Sequence, residues 1–588
     1  MRPYHAAAIG LTFAVSLAAG APTPNGRAHE PDLSADSVIK RVYIDRSGPY
    51  DPGTIVAVLH NRLTSPIHVG PITVNGTTVK DWPATVDPVL WHRVTRPILK
   101  PDQTGLILLK LAQYGSGMIR LQIQIDRRTL TRLVGTTDCE PVRIAAVRYN
   151  QAGTRLNVFL ENTGKAREVV RRVRLDDRSV WEAPGSGLTI SPGMTRVCRI
   201  ALARPLTAGR TVQLCIYLAD RVLGARNRAI PGFRISIESG DRKMAERIAA
   251  DPLVLNSFHF RQEQTAADPS RAAPSLEKRQ GTKWSLVKVT HGRFVSGEES
   301  DLACVFACPT HATDSYHTSA YLAMMAQRTV EKEPCWQSFI HACRSQPLRG
   351  LAMFGRIADC IRFNAQLKTA VAGAANDRDA VPWTVYQLVR YAVASAAPSR
   401  ALPMIPVEKD RSLFAARAPL ALEARQMVYA AVAAGAGGIA YRVMEKEWGK
   451  EARDQMIDDV TRVNHEIRQL RDYLAMGFPR PIASADDPKI QIACIDAAPE
   501  ALVVILINHD VLRSPPEMPP SAKARQRKNV RISLDVPDGF DVEDVHEING
   551  KSRTKVENVS IDGRVLRCKL SSVGPTKILL VTLRQGAK

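Results

Sequence analysis

Apolar positions in the first 240 residues come in short runs that alternate with polar ones. "VIKRVYID", "TIVAVLHN", "GLILLKL" and "IRLQIQI" are β-branched and bounded by Gly, Pro, Asn or Asp, and "VRIAAVRYN", "RLNVFLEN", "RVCRIAL" and "VQLCIYLAD" repeat the pattern further on. A period of two with such punctuation predicts antiparallel strands packed face to face. The two sets also match as sequences. Residues 55–79 laid over 156–180 without a gap pair Asn61 with Asn162, Val69 with Val170, Val74 with Leu175 and Val79 with Val180. Downstream, "LKPDQTG" (99–105) falls on "ISPGMTR" (190–196), pairing Pro101 with Pro192 and Thr104 with Thr195. The pattern predicts two tandem immunoglobulin-like β-sandwiches of about 100 residues each. At the other end of the chain, "IQIACID", "ALVVILINHD", "VRISLDVP", "VEDVHEING", "VLRCKL" and "KILLVTL" predict a third, C-terminal β-sandwich. It is interrupted by "RSPPEMPPSAKARQRKN", which reads as a mobile loop.

Between about residues 251 and 478 the pattern changes. "PLVLNSF", "WSLVKV", "LACVFAC", "ALPMIPV" and "GGIAYRV" are continuous apolar runs of the kind a parallel sheet buries on both faces. Helical stretches are expected in "SAYLAMMAQRTV", "GLAMFGRIADCIRFNAQLKTAV", "ALEARQMVYAAVAAG" and "EARDQMIDDVTRVNHEIRQLRDYLAM". In the last, Met456, Val460, Val463, Ile467, Leu470 and Leu474 draw one apolar stripe, expected to pack on the sheet. The stretch 263–283, "EQTAADPSRAAPSLEKRQGTK", reads as linker. At 588 residues the chain is too long for a single core. The expected division is 1–30, 31–135 (sandwich 1), 136–245 (sandwich 2), 246–480 (the α/β part) and 481–588 (C-terminal sandwich).

The first segment has Arg2 and His5 before an apolar run from Ala6 to Ala19 and the small residues of "LAAGAP", the make-up of a cleaved signal peptide. Export to the periplasm, cell surface or medium is the expected localisation, with no membrane span after cleavage. Lys and Arg number 80 against 58 Asp and Glu, a net charge of +22. Such a field favours polyanions. The cations are spread along the chain without interleaved aromatics, so an acidic polysaccharide fits better than nucleic acid. Ten cysteines in this length do not make a disulfide scaffold; Cys215, Cys304, Cys308 and Cys494 lie in apolar runs as small hydrophobes. No metal and no cofactor is expected: the chain has no Gly-rich phosphate loop, no Gly-x-Ser-x-Gly elbow and no His-Glu-x-x-His.

One stretch of the α/β part carries a resemblance. "LPMIPVEKD", "RAPLALEARQMVYAAVAAGAGGIAYR" and the long final helix, over residues 400–475, resemble the last third of a glycoside-hydrolase-like (β/α)8 barrel. In those enzymes a helix with an "E-x-R" start and an "A-x-G-A-x-G-I-x-Y" exit joins the seventh strand to the eighth. The resemblance implies a secreted protein acting on a polysaccharide. Glu408 would then be the nucleophile at the carboxyl end of the seventh strand, where barrel enzymes place their chemistry. A second carboxyl is needed. The family's Asn–Glu pair at the fourth strand occurs nowhere in this chain, and the candidates are Glu263, Asp301 and Asp314. With only 246–480 available the barrel is expected to be short or degenerate, and a silent, carbohydrate-binding barrel is the alternative. His311, Asp314 and His317 in "CPTHATDSYHT", spaced i, i+3 and i+6, could gather a metal ion or line a sugar subsite, and more often such a loop starts a helix, with Thr313 or Asp314 as its cap. Tyr316, Trp336, Trp383 and Tyr441 are candidate sugar-stacking rings or core, and Glu423 and Arg425 are read as helix-start residues.

Overall fold

The structure is a computed structural model and describes residues 38–45, 54–79, 84–86, 89–91, 98–110, 117–135, 140–150, 152–176, 178–206, 210–228, 232–239, 254–259, 286–290, 293–294, 304–307, 337–341, 360–364, 381–407, 421–443, 450–497, 499–513 and 522–586. Among these it is mostly β-sheet, with three helices. The expected signal segment, the 263–283 linker and the 319–330 helix lie outside the described residues.

The chain begins with two sheets. One orders Ile39–Asp45, Thr54–His60, Thr104–Lys110, Ala84–Val86 and Val89–Trp91, the other Arg128–Gly135, Met118–Ile125, Ile67–Val74 and Thr77–Thr78. The alternation read from "IRLQIQI" is visible in Met118–Ile125: Ile119, Leu121, Ile123 and Ile125 are at most 1% exposed, and the residues between them face outward. The next segment repeats the plan. Val142–Tyr149, Arg155–Asn162 and Thr195–Ala201 form one sheet, and Arg178–Glu182, Glu168–Leu175, Thr211–Leu218 and Val222–Arg228 the other. The matched sequence segments thus take matching places. The two units are not beads on a string, since Tyr43, Val56 and Val58 of the first pack into the cluster of Val158, Leu160, Val173 and Leu214 in the second.

Eight parallel strands follow: β1 Arg234–Ser239, β2 Val254–His259, β3 Leu286–Thr290, β4 Cys304–Ala307, β5 Gln337–His341, β6 Cys360–Asn364, β7 Arg400–Pro406 and β8 Gly438–Val443. Their sheet order is β2-β1-β8-β7-β6-β5-β4-β3, with the short Arg293–Phe294 antiparallel on β3. Except for β2 and β3, chain neighbours are therefore sheet neighbours, and the first strand pairs in parallel with the last. Among the described residues no pairing joins β2 to β3. Three helices lie in the second half: α1 Val381–Ala396, α2 Ala421–Ala433 and α3 Lys450–Met476. One expectation is corrected here. "GLAMFGRIADCIRFNAQLKTAV" is not one helix, because β6 runs through Cys360–Asn364 inside it.

The C-terminal sandwich has a six-stranded sheet, Phe478–Arg480, Ile490–Asp496, Ala501–Asn508, Thr576–Gln585, Phe540–Asn549 and Ser552–Lys555. Its four-stranded partner is Ala483–Ala485, Arg527–Asp535, Val565–Val573 and Val559–Asp562. Ala501–Asn508 is buried along its whole length. Its period of two explains this: Leu502, Val504 and Leu506 face the sandwich interior, while Ala501, Val503, Ile505 and Ile507 face α2 and α3 in the largest core. Val460, Val463, Ile467, Leu470 and Leu474 of α3 enter that same core. The stripe read from sequence is thus shared between the parallel sheet and the last sandwich. The loop expected to be mobile is partly built: Ala522–Ala524 pairs with Val511–Arg513, and Arg527 contacts Asp487 at 2.6 Å and Asp510 at 3.1 Å.

Sandwich 2 seats against the carboxyl ends of the helices. Arg148 donates from Nη2 to Gly435 O (3.0 Å), just past α2, and Asn157 Nδ2 donates to Met476 O (3.0 Å), the last residue of α3. Both satisfy carbonyls that a helix end leaves without partners. Beside them Asp496, 1% exposed, is held by Arg199 at 3.1 Å and by Arg480, which also donates to Thr195 O. Because helices run antiparallel to the strands they connect, sandwich 2 covers the amino-terminal end of the parallel strands.

Candidate functional site

The opposite, carboxyl-terminal end of such strands is where a site is expected. β7 shows how the fold delivers a group there. Ala401, Leu402, Met404, Ile405 and Val407 are all at most 3% exposed, so the strand is enclosed on both faces. It is hydrogen-bonded on one side to β6, with Cys360 opposite Arg400 and Asn364 opposite Met404, and on the other to β8, with Met404 opposite Ala440 and Pro406 opposite Arg442. The backbone leading to Glu408 is thereby fixed through Val407. Glu408 itself lies outside the described residues, as do Glu263, Asp301, His311, Asp314, Tyr316, His317 and Trp336. Along the chain, Asp301 precedes the start of β4, whereas His311 and Asp314 follow its carboxyl end at Ala307.

Two candidates are described, and they are not brought together. Tyr441, in the middle of β8, is 1% exposed and its hydroxyl lies 2.9 Å from Asn464 Oδ1 of α3. As placed it is enclosed on the helix side of the strand and offers no ring face to a ligand. Trp383 is 45% exposed on the first turn of α1, stacked on Tyr386 (5.5 Å between centroids, 20°) and edge-on to His509 of the C-terminal sandwich (6.2 Å). Since α1 returns the chain from the carboxyl end of β6 to the start of β7, this ring lies towards the expected site end.

The "E-x-R" and "A-x-G-A-x-G-I-x-Y" signals have structural work. Arg425 donates from Nε and Nη2 to the two oxygens of Glu466 (both 3.1 Å) and from Nη1 to Thr576 O (2.8 Å). Glu466, 1% exposed, also accepts from Tyr429 Oη (2.8 Å) and Gly550 N (2.9 Å). Burial, with the Glu466 charge beside it, holds the Tyr429 phenol well above its ordinary range. Gly435 follows α2 with φ +96°, a left-handed turn closed by Ala436 N to Ala431 O and Gly435 N to Val432 O. A Cβ there would come within 3.0 Å of the Phe478 ring.

Sequence reading missed β1, β5 and β6, whose carboxyl ends place Ser239, His341 and Asn364 at the same end of the sheet. Cys198, Cys215, Cys494 and Cys568 are buried free thiols; burial raises Cys494 well above its usual range and Cys568 to about 11. Among the described residues no group of three or more His, Cys, Asp or Glu is placed to hold a metal ion, and no helix is long and apolar enough to cross a membrane.

No family model matches the chain, and no curated protein does. Solved structures are similar to it over segments. A putative α-galactosidase/melibiase from Bacteroides fragilis is 9% identical, with 75% of this chain and 97% of that one covered and a TM-score of 0.37. A cycloisomaltooligosaccharide glucanotransferase from Paenibacillus sp. is 10% identical (75% and 99% covered, TM-score 0.32). A GH36 α-galactosidase from Geobacillus stearothermophilus is 9% identical (93% and 87%, TM-score 0.32).

Proposed function

We propose that this chain is an exported, glycoside-hydrolase-like protein that acts on a polysaccharide, built on a short (β/α)8 barrel over 246–480 plus the preceding strand β1. The flanking domains are sandwiches over 31–135, 136–245 and 481–588. The observation that carries this reading is the strand order: eight parallel strands in chain order, with β1 paired to β8 and Glu408 two residues beyond the end of the seventh. In this reading Glu408 attacks the anomeric carbon from one face of the sugar while a second carboxyl, about 5 Å away, protonates the leaving oxygen and later activates water. Asp314, following β4, takes that second role. His311 and Tyr316 belong to the same loop, and Trp383 supplies an exposed ring at the rim.

A second reading has its own observation. The chain lacks the Asn–Glu dipeptide of the resembled family, and a barrel without its proton donor would bind glycans and leave them intact. The test is reducing-sugar release by the mature protein across neutral, uronic and sulfated polysaccharides, beside Glu408→Gln. Release that vanishes in the variant supports hydrolysis. Glycan binding without release by either protein supports the silent barrel.

A further inference from the structure

A cleft of about 490 Å³ lies between the first two sandwiches, far from β7 in the chain and lined from both modules. It is of the size that encloses small ligands, about 300 to 1,000 Å³. Lys40 and Arg62 come from the first module, and Arg172, Arg174 and Arg221 from the second.

The five cations are not equivalent. Arg221 is locked by Glu140 at 2.7 Å and Glu168 at 2.9 Å, and Arg174 by Asp102 at 2.9 Å and the Tyr217 hydroxyl at 3.3 Å. Arg174 thereby ties the second module to the first, Arg221 is held within the second, and both have little charge left to offer. Arg62 and Arg172 pair with no carboxylate among the described residues. Arg172 lies with its guanidinium carbon 4.4 Å from the Tyr217 ring centroid. Stacking orients a guanidinium while leaving its in-plane N–H edge open for a planar anion.

The acids in the cleft restrict which anion fits. The side chains of Asp102 and Asp220 are 70% and 71% exposed. Such carboxylates repel a bare dianion but accept hydrogen bonds from hydroxyl groups. A ligand that combines anionic groups with many hydroxyls satisfies both sets.

We infer that the cleft between the two N-terminal sandwiches is a binding site for an acidic oligosaccharide, with Arg62 and Arg172 taking its carboxylate or sulfate groups and Asp102 and Asp220 its hydroxyls. The residues that line it are far from Glu408 in the chain, and binding there does not depend on hydrolysis. His60 reports its field. The ring is pulled down to about 4, chiefly by burial, and Arg174, Lys40 and Arg62 push the same way against Asp102. An anion seated on Arg62 should raise it.

The test is calorimetric titration of the full chain with a galacturonic acid tetrasaccharide, the same tetrasaccharide with its carboxyls reduced to alcohols, sodium sulfate, and a short oligo-dT at matched ionic strength. The titration is repeated on the Arg62→Gln/Arg172→Gln variant, with a melting curve to show that it is folded. The expected result is binding of the acidic tetrasaccharide alone, weakened at least about tenfold in the folded variant, the scale of one lost charge-assisted bond, together with an upward His60 titration by NMR in the wild type. Equal binding of the reduced sugar, of sulfate or of oligo-dT overturns the proposal, as does unchanged binding in the variant or no binding at all. Glu408→Gln should bind as the wild type does, so failure of the hydrolytic reading leaves this result standing.

Discussion

Asn61 and Asn162 hold the same hydrogen bonds in the two N-terminal modules. Each donates from Nδ2 to the carbonyl four residues on, Ser65 (2.8 Å) or Ala166 (2.7 Å), and to a partner strand, Leu99 or Ile190 (both 2.9 Å). Each accepts at Oδ1 from the amide two residues on, Leu63 or Gly164 (2.9 Å). Their own amides donate to Gln103 and Met194, and their carbonyls accept from Asp102 and Gly193, both of which have positive φ. The asparagine closes the turn that joins the two sheets. Asn508 does similar work in the last sandwich, accepting from Asp510 N and donating to Arg525 O (2.7 Å).

Asn162→Ala should therefore leave buried carbonyls and an amide without partners. The expected loss is about 1 to 3 kcal/mol per stranded group, measured by chemical denaturation. Asn162→Asp should recover the Oδ1 contact but not the two Nδ2 donations.

Glu466→Gln tests the clasp between α2, α3 and the C-terminal sandwich. The variant keeps the volume and removes the charge that Arg425 answers, so about 3 to 5 kcal/mol should be lost. A denaturation midpoint equal to wild type would show that the network contributes nothing net.

Gly435→Ala should destabilise by about 1 to 2 kcal/mol from the left-handed backbone alone, with a further loss from the contact with Phe478. The melting temperature of the variant checks this, and the neighbouring Ala434→Gly serves as a control for helix propensity.

The His60 ring, folded at about 4 against an ordinary 6.5, makes a definite pH prediction. The unfolded chain takes up the proton first on acidification, so the stability carried by neutral His60 is complete above pH 6.5 and declines as pH falls towards about 4. His60→Asn should flatten that part of the stability profile, which urea denaturation at a series of pH values between 4 and 7 would show.

Much of this was legible in the chain. The gap-free match of 55–79 with 156–180 works because the same turn is built twice around Asn61 and Asn162. Strand β6 was hidden because a short apolar run buried in a parallel sheet has no period of its own, and "RIADCIRFNAQL" read equally as helix. Strand β1, "RISIES", alternates like the sandwich strands it follows, and only its pairing with β8 shows where it belongs. The third asparagine turn went unnoticed because the loop between Asn508 and its partner Arg525 differs in length from its counterparts. At the candidate site, β7 was legible as an enclosed run ending before a carboxylate. A second carboxyl was not, since the candidates Glu263, Asp301 and Asp314 stand in stretches whose sequences carry no period.

The central claim is that Glu408 is a nucleophile, and chemical rescue tests it most directly. On a polysaccharide or glycoside that the wild type cleaves, Glu408→Ala should lose at least about a thousandfold in rate, and sodium azide should restore turnover with a glycosyl azide as product. A variant that cleaves at the wild-type rate, or one that azide leaves inactive while the fold is intact, would contradict the account.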